Sequence, residues 1–280
     1  LSAMIDFKDN GLNQAIDTLD TFASQLIWQV NRLHSEGQGT AAFTELTSAT
    51  QNLDPDAALN NLEANNLGFA AGHGSFEVAI RQVSTGQITT HVVNVDLDGI
   101  DPTNDTTFNS LIADLNAIDN IDASLTADGR VNIKQSSNDF TFSFSRDTSG
   151  ALAAVGINTL FTGDDAGSIA VNQTVSDQPA FLAAALDHMP GDNSNALRIQ
   201  DLRTERVQAL SNMSLTQYWN RHVEDLAIRM GQAQTQSEAD EIVKASLVAQ
   251  QQEQSGVSAD EESIDLLQFQ RAYQASARYL

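Results

Sequence analysis

Two helical seams, one near each end of the chain, bracket a long stretch whose apolar residues follow a period of two. Leu12, Ile16, Leu19, Ala23, Leu26, Val30 and Leu33 alternate spacings of four and three, a heptad seam of about three heptads and about 33 Å of helix. Asp17, Asp20, Gln25 and Gln29 lie off the seam, and Gly37-Gln38-Gly39 ends it. Near the other end, Leu215, Trp219, Val223, Leu226 and Met230 share one face, and Leu266, Phe269, Tyr273 and Leu280 form a stripe at spacings of three, four and seven. An apolar stripe of this kind needs a neighbour to cover it. Seams so distant in sequence yet alike in period imply helical arms with a domain inserted between them.

The insert has its own pattern. Asp54-Pro55 marks a turn and Asp56–Asn65 a short helix. From Phe69 the period becomes two. Phe76, Val78 and Ile80 alternate with Glu77, Ala79 and Arg81, turn at Ser84–Gln87, and return as a strand over Ile88–Leu97. Phe108, Leu111, Ile112 and Leu115 give Thr107–Ile118 the face of a helix capped by Asp105 or Thr106. Ile121–Thr126, Arg130–Gln135 and Phe140–Ser145 read as three strands, the first two joined through Asp128-Gly129. A further strand is expected within 166–175, a short helix at Phe181–Leu186, and helices over Ala196–Leu210 and Leu215–Met230. The stretch 232–254 is rich in Gln, Ala and Glu and anchored by Ile242, Val243 and Leu247. Ser258 and Glu261 have capping-box spacing before the last helix.

The expected fold is therefore α+β. Helical, coiled-coil-like arms come from residues 1–40 and 196–280, residues 41–66 connect, and residues 67–195 form a β-rich inserted α+β domain.

Charge and composition narrow the function. The 280-residue chain carries 37 Asp and Glu against 14 Lys and Arg, a formal net charge of −23. Such a field repels phosphate backbones and anionic lipid, which excludes nucleic acid and membrane surfaces as partners. No apolar run approaches the length of a membrane span, and no cleavable signal is visible. With 41% hydrophobic residues the chain can build a core. It has no cysteine, hence no disulfide and no thiolate chemistry. The opening Leu1-Ser-Ala-Met reads as an internal position of a longer protein.

Chemistry is hard to find. The five histidines (His34, His73, His91, His188 and His222) show no metal-binding spacing, and each reads as a surface or loop side chain. Gly72-His-Gly-Ser75 lacks the following glycine of a nucleophile turn and precedes a strand. Asp96, Asp98, Asp101 and Asp105 offer hard oxygens to a cation such as calcium, but the EF-hand spacing fails and a solvated turn is the better reading. No P-loop or dinucleotide fingerprint occurs. No catalytic residue, resident metal or cofactor is expected.

Three stretches together resemble the flagellar hook-associated protein 1 family, which joins the bacterial hook to the filament. They are Gly156-Ile-Asn-Thr-Leu-Phe-Thr-Gly163 with its continuation to Asn172 and Asp192–Leu197, Ser255–Glu262, and Gln268–Ala277. Phe7-Lys-Asp-Asn10 is similar to the family's usual start of this region. Within the first stretch Gly156, Asn158, Phe161 and Gly163 carry the likeness that separates this family from other axial proteins. Ser263-Ile-Asp265 departs from its pattern, and the family's N-terminal helix is missing.

The resemblance implies a subunit exported without a cleaved signal through the flagellar channel to the extracellular flagellum. It implies partners in the hook protein, a second junction protein, other copies of the chain, and an export chaperone at the C-terminal helix. Leu266, Phe269, Gln270, Tyr273, Ala277 and Leu280 are the expected assembly and chaperone surface. A hook or second junction protein, or a secreted calcium-dependent binding module, are the alternatives.

Overall fold

The computed structural model describes residues 11–186, 191–255 and 259–278. The chain forms two compact units, divided between His222 and Val223.

The first unit opens with helix α1, Asn13–Glu36. Its C-terminal half carries the buried face, with Ala23, Ile27, Val30 and Leu33 inside. Leu12, Ile16 and Leu19 of the same seam remain 47%, 44% and 36% exposed. The seam therefore splits: its end serves this unit's core, and its start is exposed.

The β-rich part holds two three-stranded sheets. One has the order β3–β2–β6, from Ile88–Val95 (β3), Gly74–Gln82 (β2) and Phe140–Ser145 (β6). The other has the order β1–β5–β4, from Glu45–Thr47 (β1), Val131–Gln135 (β5) and Ile121–Leu125 (β4). All neighbours are antiparallel. Alternation in β2 places Phe76, Val78 and Ile80 in the core opposite Phe142 and Phe144 of β6, the register expected from their period.

Residues 41–66, expected as a connector, are structural. Phe43 bridges to Phe142 of the first sheet, with both backbone hydrogen bonds made at 2.7 and 2.9 Å, and β1 then joins the second. One segment thus ties the sheets together, and Phe43, Leu46 and Leu59 enter the core. Leu62–Asn65 is helical (α2), shorter than expected, because the Asn61 side chain caps it only there, accepting from Ala64 N–H.

Helix α3, Phe108–Asn116, begins at a capping box in which Thr107 and Ser110 serve each other's backbone N–H. Phe108, Leu111 and Leu115 cover the sheets. Helix α4, Ala151–Val155, is wholly buried. The strand expected within 166–175 shortens to Ala170–Val171 (β8), paired with Phe161–Thr162 (β7). Asn172 then accepts from Thr174 N–H and starts helix α5, Gln173–Asp177.

Two expected helices do not form over their expected spans. Pro179–Phe181 makes one 3-10 turn instead of a helix over 181–186, because Ala185 is drawn into backbone pairing with Gln38. Helix α6, Ser194–Asp201, stops nine residues before the expected Leu210. Thr204 turns its hydroxyl and its N–H onto Asp201 O, which also accepts from Glu205 N–H, as the chain leaves the helix. Arg206–Val207 (β9) and Met213–Ser214 (β10) then pair around Ser211 and Asn212, both with positive φ. Val207 and Leu210 still reach the small core shared with Val30, Leu33, Leu202 and Leu215.

Helix α7 runs unbroken from Leu215 to Ser255, about 60 Å at 1.5 Å per residue. Gly231 does not interrupt it; an exposed helical glycine costs only about 1 kcal/mol. Helix α8 follows at Ala259–Ala277. Ser258 of the expected capping box lies outside the described residues. None of the described residues from Val223 onward is buried, so the second unit has no core of its own.

Candidate functional site

The Gly156–Gly163 segment packs against the end of α1, and backbone geometry dictates why its residues are what they are. Gly156 has φ +80°, and a Cβ there would lie 2.7 Å from Thr50 N. Gly163 has φ +88°, and a Cβ would overlap Ser168 backbone atoms. Both positions exclude an L side chain. Between them Asn158 adopts φ +52° and donates Nδ2–H to Gly37 O at 2.9 Å and His34 O at 3.3 Å. It thereby bonds two carbonyls at the end of α1, of which His34 O also accepts from Gly37 N–H.

His34 is the centre of this joint and corrects its expected surface placement: it is fully buried. Nδ1–H donates to Asn158 O at 2.7 Å, and Nε2 accepts from Ala183 N–H at 3.0 Å. A carbonyl can only accept and an amide can only donate, so the ring is neutral with its proton on Nδ1. Burial lowers its pKa from 6.5 to about 4, against an opposing push from the Asn158 bond. Nothing local predicts this role, since the partners lie 124 and 149 residues away.

Three asparagines extend the joint. Asn31 accepts from Leu160 and Phe161 N–H and donates to Phe161 O at 2.9 Å. Asn195 donates to Leu33 O and Ala183 O, each at 2.8 Å. Asn172 donates to Thr159 Oγ1 at 3.2 Å. Glu36 closes the outside with a 2.6 Å ion pair to Arg198 of α6. Beside it Asp147, 2% exposed, accepts from Ser149 and Leu152 N–H, and its pKa is raised by burial despite those bonds. Phe161 also faces an apolar groove with Phe22, Leu26, Leu202 and Trp219, where the Phe22 and Trp219 rings stand 5.4 Å apart.

The expected assembly surface is on α8. Leu266, Phe269 and Tyr273 are 58%, 77% and 76% exposed, and Gln270 and Ala277 are exposed as well. Leu280 lies outside the described residues, as do Phe7–Asn10 and His188.

The four aspartates of 96–105 do not converge. Asp101 accepts from Thr103 and Asn104, and these Thr103 bonds hold its carboxyl below the usual range. Asp98 accepts from Ile100 N–H. Asp96 lies 3.3 Å from His73, and Asp105 belongs to the approach to α3. Among the described residues no group of three His, Asp or Glu side chains could hold a metal ion, and no helix is long and apolar enough to cross a membrane.

A comparison with curated proteins finds no match. Residues 249–280 match the family model described as flagellar basal body rod FlgEFG protein C-terminal. The matched segment contains the whole of α8 with its uncovered stripe, and it supports a flagellar axial structural protein.

Proposed function

We propose that the chain is the structural subunit that joins hook to filament in the bacterial flagellum. The observation that carries this reading is α8: its apolar stripe is uncovered within its own unit and falls inside the segment shared with flagellar axial proteins. Covering such side chains contributes about 1.5–3 kcal/mol each, so the helix gains its stability from partners rather than alone. The Gly156–Gly163 segment favours the hook-associated protein 1 family among axial proteins. In this reading α8 meets an export chaperone first. It later meets hook protein, the second junction protein and neighbouring copies outside the cell, after export without a cleaved signal. The subunit performs no catalysis.

Deletion of the gene tests this by electron microscopy of the cells. The expected phenotype is complete hooks without filaments and flagellin shed into the medium; normal filaments sink the junction role. The description of the matched model favours a second reading, a rod- or hook-type axial protein. Deletion would then stop assembly before hooks are complete.

A further inference from the structure

The open edge of the first sheet is β3, whose sequence is Ile88-Thr-Thr-His-Val-Val-Asn-Val95. Gln82 N–H donates to Gln87 O, which fixes the phase of the β2–β3 ladder. Bonded pairs alternate along an antiparallel ladder, so Thr89, His91 and Val93 bond to β2 while Thr90, Val92 and Asn94 turn their N–H and C=O groups outward. Among the described residues the edge is engaged at one end: Thr106 N–H donates to Asp96 O, and Asp96 N–H donates to Thr106 Oγ1. Thr90, Val92 and Asn94 side chains are exposed, Val92 at 60%. Exposed edges are usually blunted by charge, proline or a bulge. In a chain with 37 acidic residues, this strand carries no Lys, Arg, Asp, Glu or Pro.

A groove of 310 Å³ runs beside the edge, between His91–Asn94 and Asp114, Ala117 and Ile118 at the end of α3. The next hollow along the strand joins Thr89 and His91 to Asp119 and Asn120. Neither hollow is lined by a Lys or Arg from the α3 side. Burial raises the Asp114 carboxyl, which a cation beside it would relieve.

We propose that this edge accepts an extended segment of a partner protein as an added β-strand, with a Lys or Arg of that segment meeting Asp114 and Asp119. Main-chain bonds to Thr90, Val92 and Asn94 give the affinity, and the acidic groove gives the preference. A second copy of this chain is the poorer occupant, because its own β3 has no cation to offer and each copy carries a charge of −23. The inference is independent of the proposed place in the flagellum.

The test uses the full chain and two blocked hexapeptides, Thr-Val-Lys-Val-Thr-Val and its counterpart with Glu for Lys. Amide exchange and calorimetry are the readouts. The Lys peptide should slow exchange at Thr90, Val92 and Asn94 and bind about fivefold more tightly than the Glu peptide. Val92→Pro, which removes an outward donor, should abolish binding with little change in melting temperature. Asp114→Asn, on an exposed helix face, should reduce the preference for Lys, and it carries the test alone if Val92→Pro does not fold. Unslowed exchange, equal affinity for the two peptides, or binding that survives in folded Val92→Pro overturns the proposal. A concentration-dependent dimer that Val92→Pro dissociates also overturns it, and assigns the edge to self-association.

Discussion

Burial holds the His34 ring neutral, and this makes the joint between α1 and the Gly156–Gly163 segment sensitive to acid. The folded pKa of about 4 lies below the ordinary 6.5, so between these values the unfolded chain binds the proton and the folded chain does not. Stability is therefore complete above pH 6.5 and falls as pH drops toward 4, by about 3 kcal/mol from this group. Urea unfolding at stepped pH should show that fall, and His34→Leu should flatten it while lowering stability at pH 7 through the unpaired Ala183 N–H and Asn158 O. An unchanged slope in the variant would remove His34 as the cause. Gly156→Ala belongs to the same scale. Its positive φ and the contact with Thr50 predict a loss of about 2–4 kcal/mol, read as a lower urea midpoint with an unchanged slope. These roles were illegible in sequence because each depends on partners more than a hundred residues away, or on a φ angle that no spacing reveals. The glycines and Asn158 were visible only through the family resemblance.

Among elements, period was a good guide where one face is buried and a poor one where a polar side chain intervenes. β2, β4, β5, β6 and α3 fall within two residues or so of their expected places, because alternating or helical apolar spacing and a cap or turn agree there. The helix expected at 196–210 gives way after Asp201 to a turn in which the Thr204 hydroxyl and N–H bond Asp201 O, which apolar spacing cannot register. The short β1 was missed since three residues show no period. The seam of α1 was read correctly as apolar but not as divided between two duties. For α8, Phe269→Asp or Tyr273→Asp should abolish assembly while leaving the melting of the first unit unchanged. Polymerisation measured by sedimentation that survives both changes would count against α8 as the assembly surface.

For the molecule as a whole, the net charge of −23 opposes bringing copies together. Raising salt from about 0.01 M to about 0.15 M shortens the screening length from about 30 Å to about 8 Å. Self-assembly of purified chain, followed by light scattering, should accelerate over that range. Slowing with salt would point to attractive ion pairs between copies instead. The chain up to His222 contains both cores, so it should unfold cooperatively when expressed without the remainder.

That no described residue from Val223 onward is buried has a consequence for the lifetime of the protein. Backbone held only by its own helical bonds opens far more often than backbone under a core. A protease meeting the free subunit will cut in α7 beyond Val223 or in α8 and spare the rest, whereas a subunit with its stripe covered will resist. Limited proteolysis checks this: cleavage confined to the segment beyond Val223 is the expected result, and equal cutting on both sides of His222 would overturn it.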